Sequence, residues 1–233
     1  MFPPATNPPQ QGTGPAQNGT TPKPRPALEV LTEATYVLMK SWDGGDWMCT
    51  GALVSKDIVV TAAHCLDESM FESWEIVAPL AKNEPRVSAS NPRLWSYEYD
   101  DPSEPDIGFL RLDEPIELPA YAQLTDVSQR VEKGEKLRAT TIVRSEEDFE
   151  APFKSVDDLA LSSTTNRGYA HGFGTPYFSH GGDSGAGLFL VENGQVTHKL
   201  IGIARQPEPD EKIDHFTRID AEFLAWFDEN RNE

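Results

Sequence analysis

From about residue 28 onward, apolar and β-branched residues recur in short runs broken by Gly, Asp, Asn and Ser, the spacing of strands joined by turns. Runs over 36–41, 48–54 and 58–61 predict three strands, connected by turns at Asp43-Gly44-Gly45-Asp46 and Ser55-Lys56-Asp57. Another strand begins at Ile107. In the second half, 137–143 reads as a strand. The run 187–191 is joined to 197–204 through Asn193-Gly194, a pair that accepts the positive φ angles of a hairpin turn. A last strand falls on 216–219. Asp220 then stands at the N-cap of a short helix over 221–230, with Phe223, Leu224, Trp226 and Phe227 on one apolar side. No solenoid-type repeat is present. The pattern predicts an all-β protein closed by one short α-helix.

Residues 1–27 follow a different rule: Pro3, Pro4, Pro8, Pro9, Pro15, Pro22, Pro24 and Pro26 alternate with Gly, Gln, Asn and Thr. Such a segment has almost nothing to bury and predicts a disordered or polyproline-like tether. It lacks a charged start followed by an apolar stretch, so no signal peptide is visible, and the chain reads as a mature or engineered form with a starter Met. Asn18-Gly19-Thr20 fits an N-glycosylation acceptor, a common tripeptide that carries weight only in a eukaryotic host.

Composition narrows the classes. A chain of 233 residues with 38% apolar content is large enough to bury a substantial core. No run of about eighteen apolar residues occurs, which excludes a membrane-spanning helix. The formal net charge of −18 argues against nucleic acid and anionic membranes as partners, because no Lys/Arg cluster offsets the repulsion. Acidic runs at Glu98-Tyr99-Asp100-Asp101 and Glu146-Glu147-Asp148 are candidates for calcium, but unspaced surface carboxylates favour a solvated face.

The candidate chemistry sits in three places. Gly181-Gly182-Asp183-Ser184-Gly185 sets a serine between glycines, where its hydroxyl is accessible beneath main-chain N–H donors. A serine hydroxyl is too weak an acid to attack a carbonyl unaided; it needs a histidine base and a carboxylate to orient that base. Thr61-Ala62-Ala63-His64-Cys65, just after the run Ile58-Val59-Val60, supplies the histidine. Asp106-Ile107-Gly108-Phe109-Leu110 supplies the aspartate at the head of an apolar strand. Alone, each has an ordinary explanation: a turn, a structural histidine, a solvated turn residue after Pro105. Together, in the order His, Asp, Ser, they favour catalysis, and from about Thr35 to Phe227 the chain strongly resembles the trypsin/chymotrypsin-like serine proteases.

The resemblance implies two antiparallel six-stranded β-barrels with the site in the cleft between them. Residues 28–126 would form the first, carrying His64 and Asp106; residues 127–233 would form the second, carrying Ser184 and the C-terminal helix. It implies peptide-bond hydrolysis of a protein or peptide substrate through an acyl-enzyme, with the N–H groups of Gly182 and Ser184 as the oxyanion hole and no metal or organic cofactor. Cys49 and Cys65 match one family disulfide, which would staple the histidine loop to the preceding strand and imply a secreted or otherwise extracytoplasmic location. The alternative is a pair of reduced buried thiols.

Several positions depart from the family pattern. Ala186 and Gly187 replace a glycine and a proline after the nucleophile. The mature Ile-Val-Gly-Gly start is missing; Glu29-Val30-Leu31-Thr32 does not resemble it, and the basic sites Lys23-Pro24 and Arg25-Pro26 are blocked by proline. Asp183, which that start would pair, then needs an internal cation, from among Arg138, Arg144, Arg167 and Arg205, or stays unpaired. In the substrate pocket, Phe178 stands where a trypsin carries aspartate, and Asp214 falls near a second pocket position that would favour Lys or Arg. The strand that pairs substrate reads Arg205-Gln206-Pro207, with one N–H lost at the proline. His171 and His180 lack a third ligand for zinc and read as pocket or surface residues. Two readings follow: an active serine endopeptidase, or an idle binding or scaffold module tethered by the proline-rich tail. The intact triad favours the enzyme.

Overall fold

Strands form where β-branched and aromatic residues are dense enough to pack on a pleated surface, and the first six close on themselves. In a computed structural model, residues 26–32, 36–41, 49–67, 73–95, 103–144, 153–163, 171–205, 210 and 212–232 are described. The turn at 43–46, Met48, both acidic runs, Arg167, Gln206, Pro207 and the tail up to residue 25 lie outside them. β1 (Tyr36–Ser41), β2 (Cys49–Ser55), β3 (Ile58–Thr61), β4 (Trp74–Val77), β5 (Arg86–Leu94) and β6 (Gly108–Leu112) form a closed antiparallel barrel in the order β1-β2-β3-β6-β5-β4. Every residue of β3 is buried, which is why it reads as a continuous apolar run.

The second half is a curled, mostly antiparallel sheet, in keeping with the expected two-barrel all-β fold; only the strand count differs, with eight strands among the described residues in place of six. Its strands are β7 (Gln123–Leu124), β8 (Arg138–Arg144), β9 (Phe153–Ala160), β10 (Ser162–Ser163), β11 (Gly172–Pro176), β12 (Gly187–Glu192), β13 (Gln195–Ala204) and β14 (Ile213–Arg218). They run β10-β11-β14-β13-β12-β8-β9, and β7 adds in parallel to β13. The extra strands have physical causes. β13 is ten residues long and has room for β7 beside its other partners, and two-residue β10 extends the edge at β11. The register shift between Ala139 and Thr141, opposite the positive-φ residue Asp158, bends β8 and β9 and brings β9 against β11. The β12–β13 hairpin turns on Asn193 and Gly194 at φ 51° and 72°, as the sequence predicts.

Among the described residues, three α-helices accompany the strands. α1 (Ala27–Thr32) has no counterpart in the all-β pattern of the sequence. It docks on the second sheet with Leu31 fully buried, and the His198 ring donates to the Val30 carbonyl at 3.2 Å. α2 (Ser128–Glu132) ends at Gly134, whose φ of 80° suits a glycine at the helix end. α3 (Ala221–Asn230) has the predicted bounds, and the Asp220 carboxylate caps it by accepting from the Glu222 and Phe223 N–H groups at 3.1 and 3.0 Å. Its aromatic face crosses to the first barrel, where Phe227 meets Phe109 edge-on at 5.2 Å and Trp226 meets it at 5.5 Å. The result is a buried cluster running from Leu53, Val59 and Phe109 through Ile203 to Ile219 and Phe223.

Cys49 at the start of β2 and Cys65 in the 3-10 turn Ala63–Leu66 form a disulfide across 16 positions, with 6.2 Å between their Cα atoms. Closing a loop of that length removes conformational freedom from the unfolded chain, an effect of about 3 kcal/mol in loop-entropy terms. Reduction and alkylation of both cysteines therefore lowers the unfolding free energy by about that amount in urea titrations. A midpoint that does not move would show that the bridge contributes nothing.

Candidate active site

His64 is delivered by the short turn after β3, where Ala62, Ala63, Cys65 and Leu66 are buried and leave the imidazole about a quarter exposed, at 27%. Both oxygens of the Asp106 carboxylate point to it. One accepts the His64 main-chain N–H at 2.9 Å and the other accepts Nδ1–H at 2.7 Å. A carboxylate accepts only, so Nδ1 carries a proton, and in the neutral ring Nε2 is the acceptor nitrogen. Burial pushes the Asp106 carboxyl up, but the hydrogen bonds and charge of His64, with the charge of Arg205, outweigh it and hold the group below the ordinary aspartate range. The main chain of Asp106 is fixed in turn by the second sheet: the Thr217 hydroxyl on β14 accepts its N–H and donates to its carbonyl, each at 3.2 Å.

Ser184 reaches the first barrel through the main chain. Its carbonyl accepts the Thr50 N–H at 2.7 Å, while the Thr50 hydroxyl lies 3.1 Å from the same oxygen and 3.2 Å from the Asp183 carbonyl. Thr61 Oγ1 donates to the Thr50 carbonyl at 2.7 Å, so β2 and β3 meet the serine loop as one unit. Gly185 makes the approach possible: at φ 87°, any Cβ would fall on the Thr50 carbonyl oxygen and the Thr61 hydroxyl. Thr50 is next to Cys49, and Thr61 is three residues before His64; the serine loop is thereby held beside the His64–Asp106 pair. Among the described residues, no hydrogen bond joins the Ser184 hydroxyl to the His64 ring. Nor do the N–H groups of Gly182, at φ 95°, and Ser184 have an acceptor among them.

Asp183 departs from the expectation of an arginine ion pair. Its two oxygens accept the main-chain N–H groups of Arg144 and His180, both at 2.9 Å. Burial pushes its carboxyl up against those two bonds. The Arg144 guanidinium lies over Gly182, with Nη1 2.6 Å from where a Cβ would stand, while Arg138 pairs with Asp158 on β9. Arg205 donates from Nη1 to the Glu104 carbonyl at 3.3 Å.

Phe178 and Asp214 do adjoin one another. Asp214 accepts from the N–H groups of Phe178 and Ser179 at 2.6 and 3.0 Å and from the Ser179 hydroxyl at 2.5 Å, and the Phe178 ring packs on Phe216 at 6.3 Å. His171 is bound to Asp220 at 2.7 Å and meets Trp95 edge-on, a structural pairing. Cys49, His64 and Cys65 bring their ligand atoms within 4.8 Å of one another, a grouping that resembles a metal site, but the sulfurs are bonded to each other and offer no thiolate. Thr50, Thr61 and Thr217 were not singled out in the sequence, since threonine in a strand is an ordinary β-former.

Comparison with known proteins places this arrangement. The family model for Trypsin matches residues 32–227. Over 133 residues the chain is 29% identical to a chymotrypsin of Phaedon cochleariae, covering 52% of this chain and 48% of that protein, so the match spans about half the length of the relative. The fold is similar to that of the VesB protease of Vibrio cholerae, with a TM-score of 0.63, 17% identity, and coverage of 88% of this chain and 65% of the other. It is also similar to the structure of GrC, with a TM-score of 0.64, 18% identity, and coverage of 85% and 94%.

Two outcomes are expected. Gly185→Ala forces a Cβ into the Thr50 carbonyl in a backbone region that disfavours it, and lowers the unfolding free energy by about 3 kcal/mol in urea melts. Because the folded-state pKa of Asp106 is depressed, its ionised form adds stability above the ordinary value near 3.9, and that contribution is lost as pH falls toward the folded value. The stability difference between wild type and Asp106→Asn therefore narrows as pH drops from about 6 to 3; a constant difference contradicts the assignment.

Proposed function

We propose that this chain, which belongs to the trypsin family, is a serine endopeptidase that cleaves protein or peptide substrates through an acyl-enzyme intermediate. The observation that carries the reading is the His64–Asp106 pair, in which both carboxylate oxygens are committed to His64 N–H and Nδ1, so that Nε2 of the neutral ring is the nitrogen left to take a proton. In this reading Ser184 Oγ attacks the substrate carbonyl and Nε2 takes its proton. Asp106 holds the tautomer and offsets the positive charge that forms on the ring. The proton is then given to the leaving amine, and a water activated by the same nitrogen releases the acyl group.

The N–H groups of Gly182 and Ser184, without acceptors among the described residues, suit the negative oxygen of the tetrahedral intermediate. Each such donor is worth roughly 3 kcal/mol in the transition state. Gly182 and Gly185 supply the backbone angles that present them. No step calls for a metal or organic cofactor. In this reading Asp214, which accepts the Phe178 and Ser179 N–H groups, belongs to the substrate pocket. The disulfide supports an extracytoplasmic location. Pro207, with no N–H to give an extended substrate, is the feature that favours the competing reading of an idle module.

A fluorophosphonate probe reacts with an activated serine only, and separates the two. Wild type is expected to be labelled at Ser184 and Ser184→Ala is not, with a melting temperature nearly unchanged because one small oxygen is removed. Absence of labelling in the wild-type chain supports the idle module, and labelling that survives in the alanine variant places the nucleophile elsewhere.

A further inference from the structure

Arg205, read above only as part of the substrate-pairing strand, also lies where the two halves of the site meet. β13 ends at Ala204, whose carbonyl accepts the Gly185 N–H at 2.8 Å beside Ser184. The next residue, Arg205, donates its own N–H to the His215 carbonyl on β14 at 3.0 Å. Its guanidinium reaches the other way, to the Glu104 carbonyl two residues before Asp106. It lines a small cavity with Ser103, Glu104, Pro105, His171 and Thr217, and Thr217 is the residue whose hydroxyl holds the Asp106 main chain. One residue thus spans from the strand bonded to the serine loop to the turn that delivers the aspartate.

The charge matters as well as the reach. With neutral His64 the pair carries one net negative charge; with protonated His64 it carries none. A fixed cation nearby stabilises the first state over the second. The titratable and charged groups on the surrounding elements are Glu104 in the turn before Asp106, Asp67 after the His64 turn, Arg93 on β5, His171 at the head of β11, His215 and Arg218 on β14, and Asp220 after it. Arg205, positive at every working pH, is the cation whose charge is felt by Asp106.

We propose that Arg205 is a positioning residue for the His64–Asp106 pair: it braces the turn that presents Asp106 and supplies a fixed positive charge that favours neutral imidazole, keeping the base competent in mildly acidic solution. The inference rests on the reading of His64 as base and Asp106 as its orienter.

The test compares the full-length wild-type chain with Arg205→Gln and Arg205→Lys. Two readouts are taken: the His64 imidazole titration by proton NMR, which needs no activity, and the pH profile of kcat/KM on a peptide substrate. In Arg205→Gln, which keeps a donor and loses the charge, both the titration and the acid limb move to higher pH by about half a unit. In Arg205→Lys, which keeps the charge, they stay near wild type even if kcat falls. Where the glutamine variant unfolds, Arg205→Met retains the packing volume without the charge and carries the same expectation. A titration unmoved by Gln or Met, or moved equally by Lys, overturns the proposal and leaves Arg205 a structural brace. If wild type neither labels with the fluorophosphonate nor hydrolyses peptide, the catalytic reading fails, and the NMR titration still decides the role of Arg205.

Discussion

The contact between the Ser184 carbonyl and the Thr50 N–H is the one on which the rest of the site depends. It is a single main-chain hydrogen bond of 2.7 Å, made across 134 positions of sequence, and it exists only because Gly185 lets two backbones come closer than a side chain permits. The contact sets the distance between a loop of one half and a strand of the other. A hydroxyl, an imidazole and a carboxylate contributed by separate elements need that distance fixed to within a fraction of an ångström to act together.

Other ties act in parallel and share the load. Thr217 grips the main chain of Asp106 from β14, so the first barrel's acidic residue is held by the second sheet. α3, at the end of the chain, lays Phe227 and Trp226 on Phe109 and thereby seals the first barrel with residues from the second half. The disulfide holds the ends of the segment between β2 and the His64 turn. The buried cluster that crosses between the halves makes their relative placement a matter of core packing, with little left to loop conformation.

What could be read from the sequence was local. β1, β3 and α3 have the expected bounds because each carries a pattern that needs no distant partner: an alternating or continuous apolar run, or a cap followed by aromatics on one side. β5 and β9 escaped because Arg-Val-Ser-Ala-Ser-Asn-Pro-Arg-Leu and Phe-Lys-Ser-Val-Asp-Asp-Leu-Ala show no clean alternation; their neighbours recruit them through main-chain bonds. The three candidate catalytic residues were legible as residue types in characteristic surroundings. Their supports were not: the jobs of Thr50, Thr61 and Thr217 are defined by residues 11 to 134 positions away.

Asp183 shows how one buried carboxylate can be satisfied in more than one currency of hydrogen bond. Its oxygens face two amides of the main chain, one at the end of β8 and one at the start of its own loop. An ammonium arriving at this site would enter as a competitor and would have to displace the Arg144 or the His180 amide. Each displacement strands a buried N–H, a loss of about 1–3 kcal/mol that the new ion pair must exceed. Arg144, the last residue of β8, is therefore tied through Asp183 to the loop that carries Ser184. Whatever pulls on the end of β8 pulls on Asp183, and through it on the peptide planes of Gly182 and Ser184.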